Sequence, residues 1–207
     1  MTSRGAVFFL LSRRQAGLYK QEPMHFVSRK TAIKVIYWNA VVAVMVVCLA
    51  GVSLIRRIHR YDTLIVQASR ACNVDPRLVS SVIWRESRFK PYVVGEKGEI
   101  GLMQITMPAA MEWAKAENIP PPTRETLFNP DINIQAGTWY LARAIRYWSK
   151  RSDPLPFALA EYNAGRVNAQ RWAAMSGPNS RKFWETITYP TTKKYIHDIL
   201  KRYRGKV

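Results

Sequence analysis

Glu86 is a carboxylate where the pattern calls for an apolar residue. It follows Val79 by seven residues and Val82 by four, and at about 100° per residue all three fall on one stripe of a helix. A carboxylate on a buried stripe must be paired, hydrogen-bonded or protonated. Desolvation raises a Glu pKa, and a raised pKa supplies an acid that can protonate a glycosidic oxygen near neutrality. A salt-bridged Glu at a helix end, where the stripe meets solvent, satisfies the same spacing.

The elements that must position Glu86 are helical. From Tyr61 onward the apolar period is that of helices, and strand-like alternation is scarce. Leu64, Ile65, Ala68 and Cys72 mark a first helix. Asp75-Pro76 supplies an N-cap and a first-turn proline for the helix of Glu86. A turn with Gly95, Gly98 and Gly101 precedes a helix from Met107 to Ala116, and Ile119 to Pro122 is a linker. Asn129-Pro130-Asp131 opens the longest helix of the domain. Pro156 to Gly165, Val167 to Met175 and Arg181 to Ile187 are shorter, and Thr191 or Thr192 caps a last helix through Tyr203. The expected fold is an all-α domain over residues 61–207, large enough for a core with a cleft.

Ahead of it, Val35 to Ile55 is uncharged over 21 residues, and at about 1.5 Å per residue that crosses the roughly 30 Å of a bilayer. The run exceeds a cleaved signal's apolar stretch, and Arg56, Arg57 and Arg60 follow at once. We therefore expect an uncleaved transmembrane anchor at 35–55 after a basic segment at 1–34, with Met24 an alternative start. Cys48 invites a lipoprotein reading, but Val47 stands where a small residue is wanted. Arg4, Arg13, Arg14, Lys20, Arg29, Lys30 and Lys34 favour a cytoplasmic N-terminus and a domain outside the inner membrane.

The chain has 32 Lys and Arg against 14 Asp and Glu, a net charge of +18. Residues 1–60 hold ten basic side chains and one acid, and the remainder is moderately basic. There is no nucleic-acid-reading motif, so nucleic acid is not the expected partner. Dinucleotide fingerprint, P-loop and H-E-x-x-H motifs are absent. His25, His59 and His197 form no ligand cluster, and Cys48 and Cys72 are too few for a framework. No cofactor or metal is expected. A lone Cys72 reads as a small buried hydrophobe.

Five blocks occur in order: Trp84 to Phe89, Gly101-Leu102-Met103-Gln104-Ile105, Asn129 to Ile134 with Gly137 and Tyr140-Leu141, Ala160 to Gly165, and Tyr195. Together they resemble the catalytic domain of soluble-lytic-transglycosylase (SLT) type, in the lysozyme-like superfamily, over roughly Leu64 to Arg204. The resemblance implies a goose-type-like lysozyme fold with a substrate cleft. It also implies cleavage of the β-1,4 bond between N-acetylmuramic acid and N-acetylglucosamine in peptidoglycan, without water, leaving 1,6-anhydro ends. Glu86 matches the catalytic glutamate, acid first and then base. Ser87, Met103, Gln104, Tyr162, Asn163 and Tyr195 match substrate-binding positions. The implied partner is a peptidoglycan glycan strand. The small size and short tether suggest service to a secretion, conjugation or pilus assembly.

Three places depart from the family pattern. The turn reads Gly98-Glu99-Ile100-Gly101 where Gly-Ala-x-Gly is common. Glu161 replaces an alanine, either as a second carboxylate near the cleft or as a solvent-facing residue. Thr191-Thr192-Lys193 stands where Glu-Thr-Arg is familiar, which loses a charge pair near Tyr195. A hydrolytic muramidase using Glu161, and a catalytically weak wall-binding scaffold, are the alternatives.

Overall fold

The computed structural model describes residues 28–177 and 180–205. The Ala6 to Leu11 patch, Met24 and His25 lie outside them. The chain divides into two units, Met1–Gly51 and Val52–Val207. In the first, the described part is helical from Arg29, belonging to α1 (Arg29–His59), and its large apolar side chains from Ile33 to Leu49, Val41 apart, are exposed. By length and composition this helix can cross a membrane.

Among its described residues the second unit carries eight further α-helices: α2 (Asp62–Cys72), α3 (Pro76–Ser87), α4 (Met107–Ala116), α5 (Pro130–Tyr147), α6 (Leu155–Ala164), α7 (Arg166–Ser176), α8 (Ser180–Thr186) and α9 (Pro190–Arg204). No strand occurs among the described residues, only isolated bridges joining Val94, Ile100 and Ile105. The all-α expectation and most helix limits hold. One cap differs: Tyr189 is the N-cap of α9 and Pro190 its first residue. Pro190 has the fixed φ that a first turn needs, so Thr192 falls inside the helix, where it is buried.

The core positions α3. Leu78, Val79, Val82 and Ile83 are buried among Ile65 of α2, Ile134 and Leu141 of α5, Phe157 and Leu159 of α6, and Ile196 and Ile199 of α9. Asp75 accepts a hydrogen bond from the Arg77 backbone N–H at 2.8 Å and fixes where α3 starts. The helix ends at Arg88 and Phe89, both left-handed, with φ of +53° and +58°. Two such residues in succession turn the chain sharply away just after Glu86.

Candidate active site

Glu86 lies in the last turn of α3, half-buried, on the stripe of Val79 and Val82. Tyr195 of α9 is buried and donates its hydroxyl proton to Glu86 Oε1 at 2.6 Å. Burial, helped by the charge of Glu99, pushes the Glu86 pKa up to about 7, while the Tyr195 bond and Arg85 pull the other way. Burial and the neighbouring Glu86 charge raise the Tyr195 pKa well above its usual value. Tyr195 therefore keeps its proton and is a hydrogen-bond donor to the carboxylate at any physiological pH.

Tyr162 of α6 also senses Glu86: burial first, then the Glu86 charge, raises its pKa well above 10. Its hydroxyl donates to the Met103 carbonyl at 2.9 Å, and its ring meets Tyr140 edge-on at 5.8 Å. Arg85 pairs with Asp198 of α9 at 3.3 Å, and its guanidinium lies 5.3 Å from the Tyr195 ring centroid.

The loop between α3 and α4 is fixed by buried polar side chains. Asn133 of α5 is fully buried. Its Oδ1 accepts from the Met103 N–H at 2.8 Å, and its Nδ2 donates to the Ile100 and Leu127 carbonyls at 2.8 and 2.9 Å. Gly101 has φ +79°, and a Cβ there would lie 2.9 Å from the Leu127 oxygen, so this turn demands glycine. Ser87 is buried and donates its hydroxyl to the Leu102 carbonyl at 2.8 Å, tying the loop to the end of α3.

The sequence-derived residues fall into three groups. Glu86, Tyr195, Tyr162 and the Met103 carbonyl are brought together. The Met103 side chain is fully buried against Gly137, where a Cβ would lie 2.6 Å from its own. Ser87 spends its hydroxyl on the protein backbone. Gln104 is left-handed, φ +50°, and donates to the Gly101 and Val93 carbonyls at 2.9 and 3.2 Å. Asn163 is exposed, and its Oδ1 accepts from the Thr192 hydroxyl at 2.8 Å. Neither of these two amides bonds Glu86.

Glu161 corrects both expectations set for it. It is not solvent-facing, being fully buried, and its oxygens are engaged. Oε2 accepts from Trp148 Nε1 at 2.8 Å, and Oε1 from Arg166 Nη2 and Nε at 2.7 and 2.9 Å. Arg143 stands 3.7 Å away. A carboxylate held by this many donors is an ion-pair anchor between α5, α6 and α7, not a free base.

Sequence reasoning missed Asn133, Arg85, Asp198 and Thr192. Asn133 had a signal, since it shares a helical stripe with Gly137 and Leu141, as Glu86 does with Val79 and Val82. The others act through pairings between α3, α6 and α9 that no local pattern encodes.

The sequence and the fold resemble known proteins. The chain is 33% identical over 120 residues to membrane-bound lytic murein transglycosylase C of Cronobacter sakazakii, covering 57% of this chain and 32% of that one. The 70 kDa soluble lytic transglycosylase SLT70 of Escherichia coli superposes with a TM-score of 0.63 at 26% identity, over 70% of this chain and 24% of that one. A 70-kDa soluble lytic transglycosylase in complex with bulgecin A superposes over 84% of this chain and 28% of that one, with a TM-score of 0.65 at 24% identity. The chain spans about a third or less of the length of the curated relatives it matches. The family described as the transglycosylase SLT domain matches residues 63–184. That is more than half of the chain, and it bears the α3 carboxylate, the loop beneath it and the facing α6 helix: the chain belongs to the transglycosylase SLT domain family.

Proposed function

We propose that this chain is a lytic transglycosylase of peptidoglycan. One observation carries the reading: Glu86 is half-buried, its pKa is pushed up to about 7, and a buried tyrosine holds one of its oxygens. Such a group is present in both protonation states near neutral pH, so it can give a proton and take one back. The protonated Glu86 would donate to the oxygen of the β-1,4 bond as it leaves C1 of N-acetylmuramic acid. The resulting carboxylate would accept the proton of the C6 hydroxyl as that oxygen bonds to C1. This closes a 1,6-anhydro ring and restores the acid. Water is not consumed and one carboxylate suffices, whereas the hydrolytic routes need two. The engaged state of Glu161 favours this route over hydrolysis.

Tyr195 would keep Glu86 oriented through both proton transfers. Gln104, Asn163, Tyr162 and the Met103 loop would line the sugar subsites, with Ser87 bracing that loop. The proposal extends to the chain's organisation: residues 1–34 cytoplasmic, 35–55 an anchor, and 61–207 the catalytic domain outside the inner membrane. Such an enzyme would act on nearby wall, a placement that suits opening gaps for an envelope-spanning machine.

The test is mass spectrometry of sugars released from purified peptidoglycan. Muramoyl ends one water lighter than hydrolysed ends, absent with Glu86→Gln, are expected. Ordinary reducing ends would sink the transglycosylase reading and indicate a hydrolase. Binding without release, equal in both proteins, would indicate a scaffold.

A further inference from the structure

The face of α3 opposite Glu86 carries a cationic cluster, Arg88 and Arg202 on Trp84. Trp84 stands two residues from Glu86, about 200° round the helix, on a stripe with Arg77 and Ser81. Arg88, the left-handed residue that caps the helix, folds over the Trp84 ring. A groove beside them is lined by Asp62, Ile65, Arg77, Ser81, Arg202 and Tyr203, between α2, α3 and the end of α9. Glycan held against Glu86 would therefore lie on the other side of this helix.

The charge without an ion-pair partner gathers on Trp84, beside the groove, which it meets through Arg202. Arg77 is paired with Asp75 at 2.8 Å and Asp62 with His59 at 2.7 Å. Arg88 and Arg202 have no ion pair among the described residues, yet both stack on Trp84, with guanidinium carbons 3.2 and 5.0 Å from the ring centroid. Burial and the facing charge of Arg88 lower the Arg202 pKa. Two like charges gathered on one indole repel each other, and an anion between them relieves the repulsion.

Position along the chain selects the anion. Asp62, in the lining of the groove, begins α2 seven residues after Ile55. At about 1.5 Å per helical residue that is about 10 Å, comparable to the Debye length in physiological salt. Arg56, Arg57 and Arg60 fill the interval, and Lys201 flanks Arg202. None of these has an ion pair among the described residues either.

We propose that this face docks on the membrane surface, the Arg88–Trp84–Arg202 cluster gripping the phosphates of anionic phospholipids. Docking holds the domain against the bilayer. It leaves the Glu86 face of α3 directed away from the lipid that the opposite face contacts. The inference rests on the tether proposed above.

The test uses the full chain in nanodiscs of zwitterionic lipid, with and without an anionic phospholipid, read by hydrogen–deuterium exchange. Slower exchange over residues 84–90 and 199–204 in anionic discs only is expected. The docked-to-undocked ratio should fall about fivefold for each of Arg88→Gln and Arg202→Gln, from the usual strength of one arginine at an anionic surface. Both side chains are exposed, and thermal unfolding in neutral discs checks that each variant keeps its fold. Equal exchange in both lipids, or protection that survives the double variant, overturns the docking. Protection raised in neutral discs by soluble muropeptides assigns the groove to peptide carboxylates and overturns it too. A chain that elutes apart from the discs in high salt overturns the tether, a failure visible separately from loss of protection.

Discussion

Glu86→Gln should make the protein more stable, and only at high pH. The native carboxyl titrates near 7, against 4.5 for a free side chain. At about 1.4 kcal/mol per pH unit that difference is worth ~3 kcal/mol. Below pH 4.5 the native and unfolded states both hold the proton. Between 4.5 and 7 the native state keeps a proton that the unfolded chain has released, so wild-type stability falls as pH rises. Above 7 the loss is complete. Glutamine keeps the shape and can still accept the Tyr195 hydrogen bond, yet it carries no charge to desolvate. Its advantage should be close to nil at pH 4 and reach ~3 kcal/mol at pH 8. For a domain of this size that is about 6–12 °C in Tm. Thermal unfolding of both proteins by circular dichroism across pH 4–8, the full chain in detergent, reads it directly. A gap that does not change with pH, or a wild type that gains on the variant as pH rises, would refute the reasoning. The variant should at the same time lose all glycan release, trading activity for stability at one atom pair.

Tyr195→Phe removes the bond that favours ionised Glu86, so its pKa should rise. The limb of the pH–rate profile where activity falls with rising pH should move up by about one unit. A limb that stays in place or moves down would count against the Tyr195 contact. Asn133→Ala leaves the Met103 N–H and the Ile100 and Leu127 carbonyls without their partner. It should cost at least ~3 kcal/mol in denaturant unfolding, and a loss under 1 kcal/mol would mean the loop is fixed otherwise. Glu161→Ala strands Arg166 and Trp148 and should cost ~3–5 kcal/mol. The milder Glu161→Gln should release anhydro-muramoyl ends with no change in product type, and a switch in product would return Glu161 to the chemistry.

What the sequence made legible follows from what local patterns encode. Helix limits were readable because Asp75-Pro76 and Asn129-Pro130 are start signals that work within a few residues. Glu86 was readable because a charge on an apolar stripe conflicts with its neighbours. Glu161 shows where this stops. Its burial depends on Trp148 and Arg166, 13 residues before it and five after, meeting at one point. Composition says only that a lone Glu is ordinarily exposed. The pairing of Arg85 with Asp198 spans 113 positions of chain, and neither residue is unusual where it stands. The Met103 block was legible as a motif, but its physics was not. The side chain fills space beside Gly137 while the backbone carbonyl faces Tyr162.

That division of labour explains how one carboxylate can be held without a second. Glu86 sits at the end of a helix, where fraying would ordinarily blur its position. Three constraints oppose fraying, each from a different element. Ser87 ties the last turn to the Leu102 carbonyl, and Asn133 pins the same loop from α5. Tyr162 closes it from α6 through the Met103 carbonyl. The loop offers backbone groups to side chains on three helices, so it cannot shift without breaking buried hydrogen bonds on several sides. Tyr195 then reaches Glu86 from a fourth helix. A carboxylate so placed owes its raised pKa chiefly to the walls, with the charge of Glu99 a smaller contribution. The walls persist when the proton leaves, as a group that serves as acid and then as base requires.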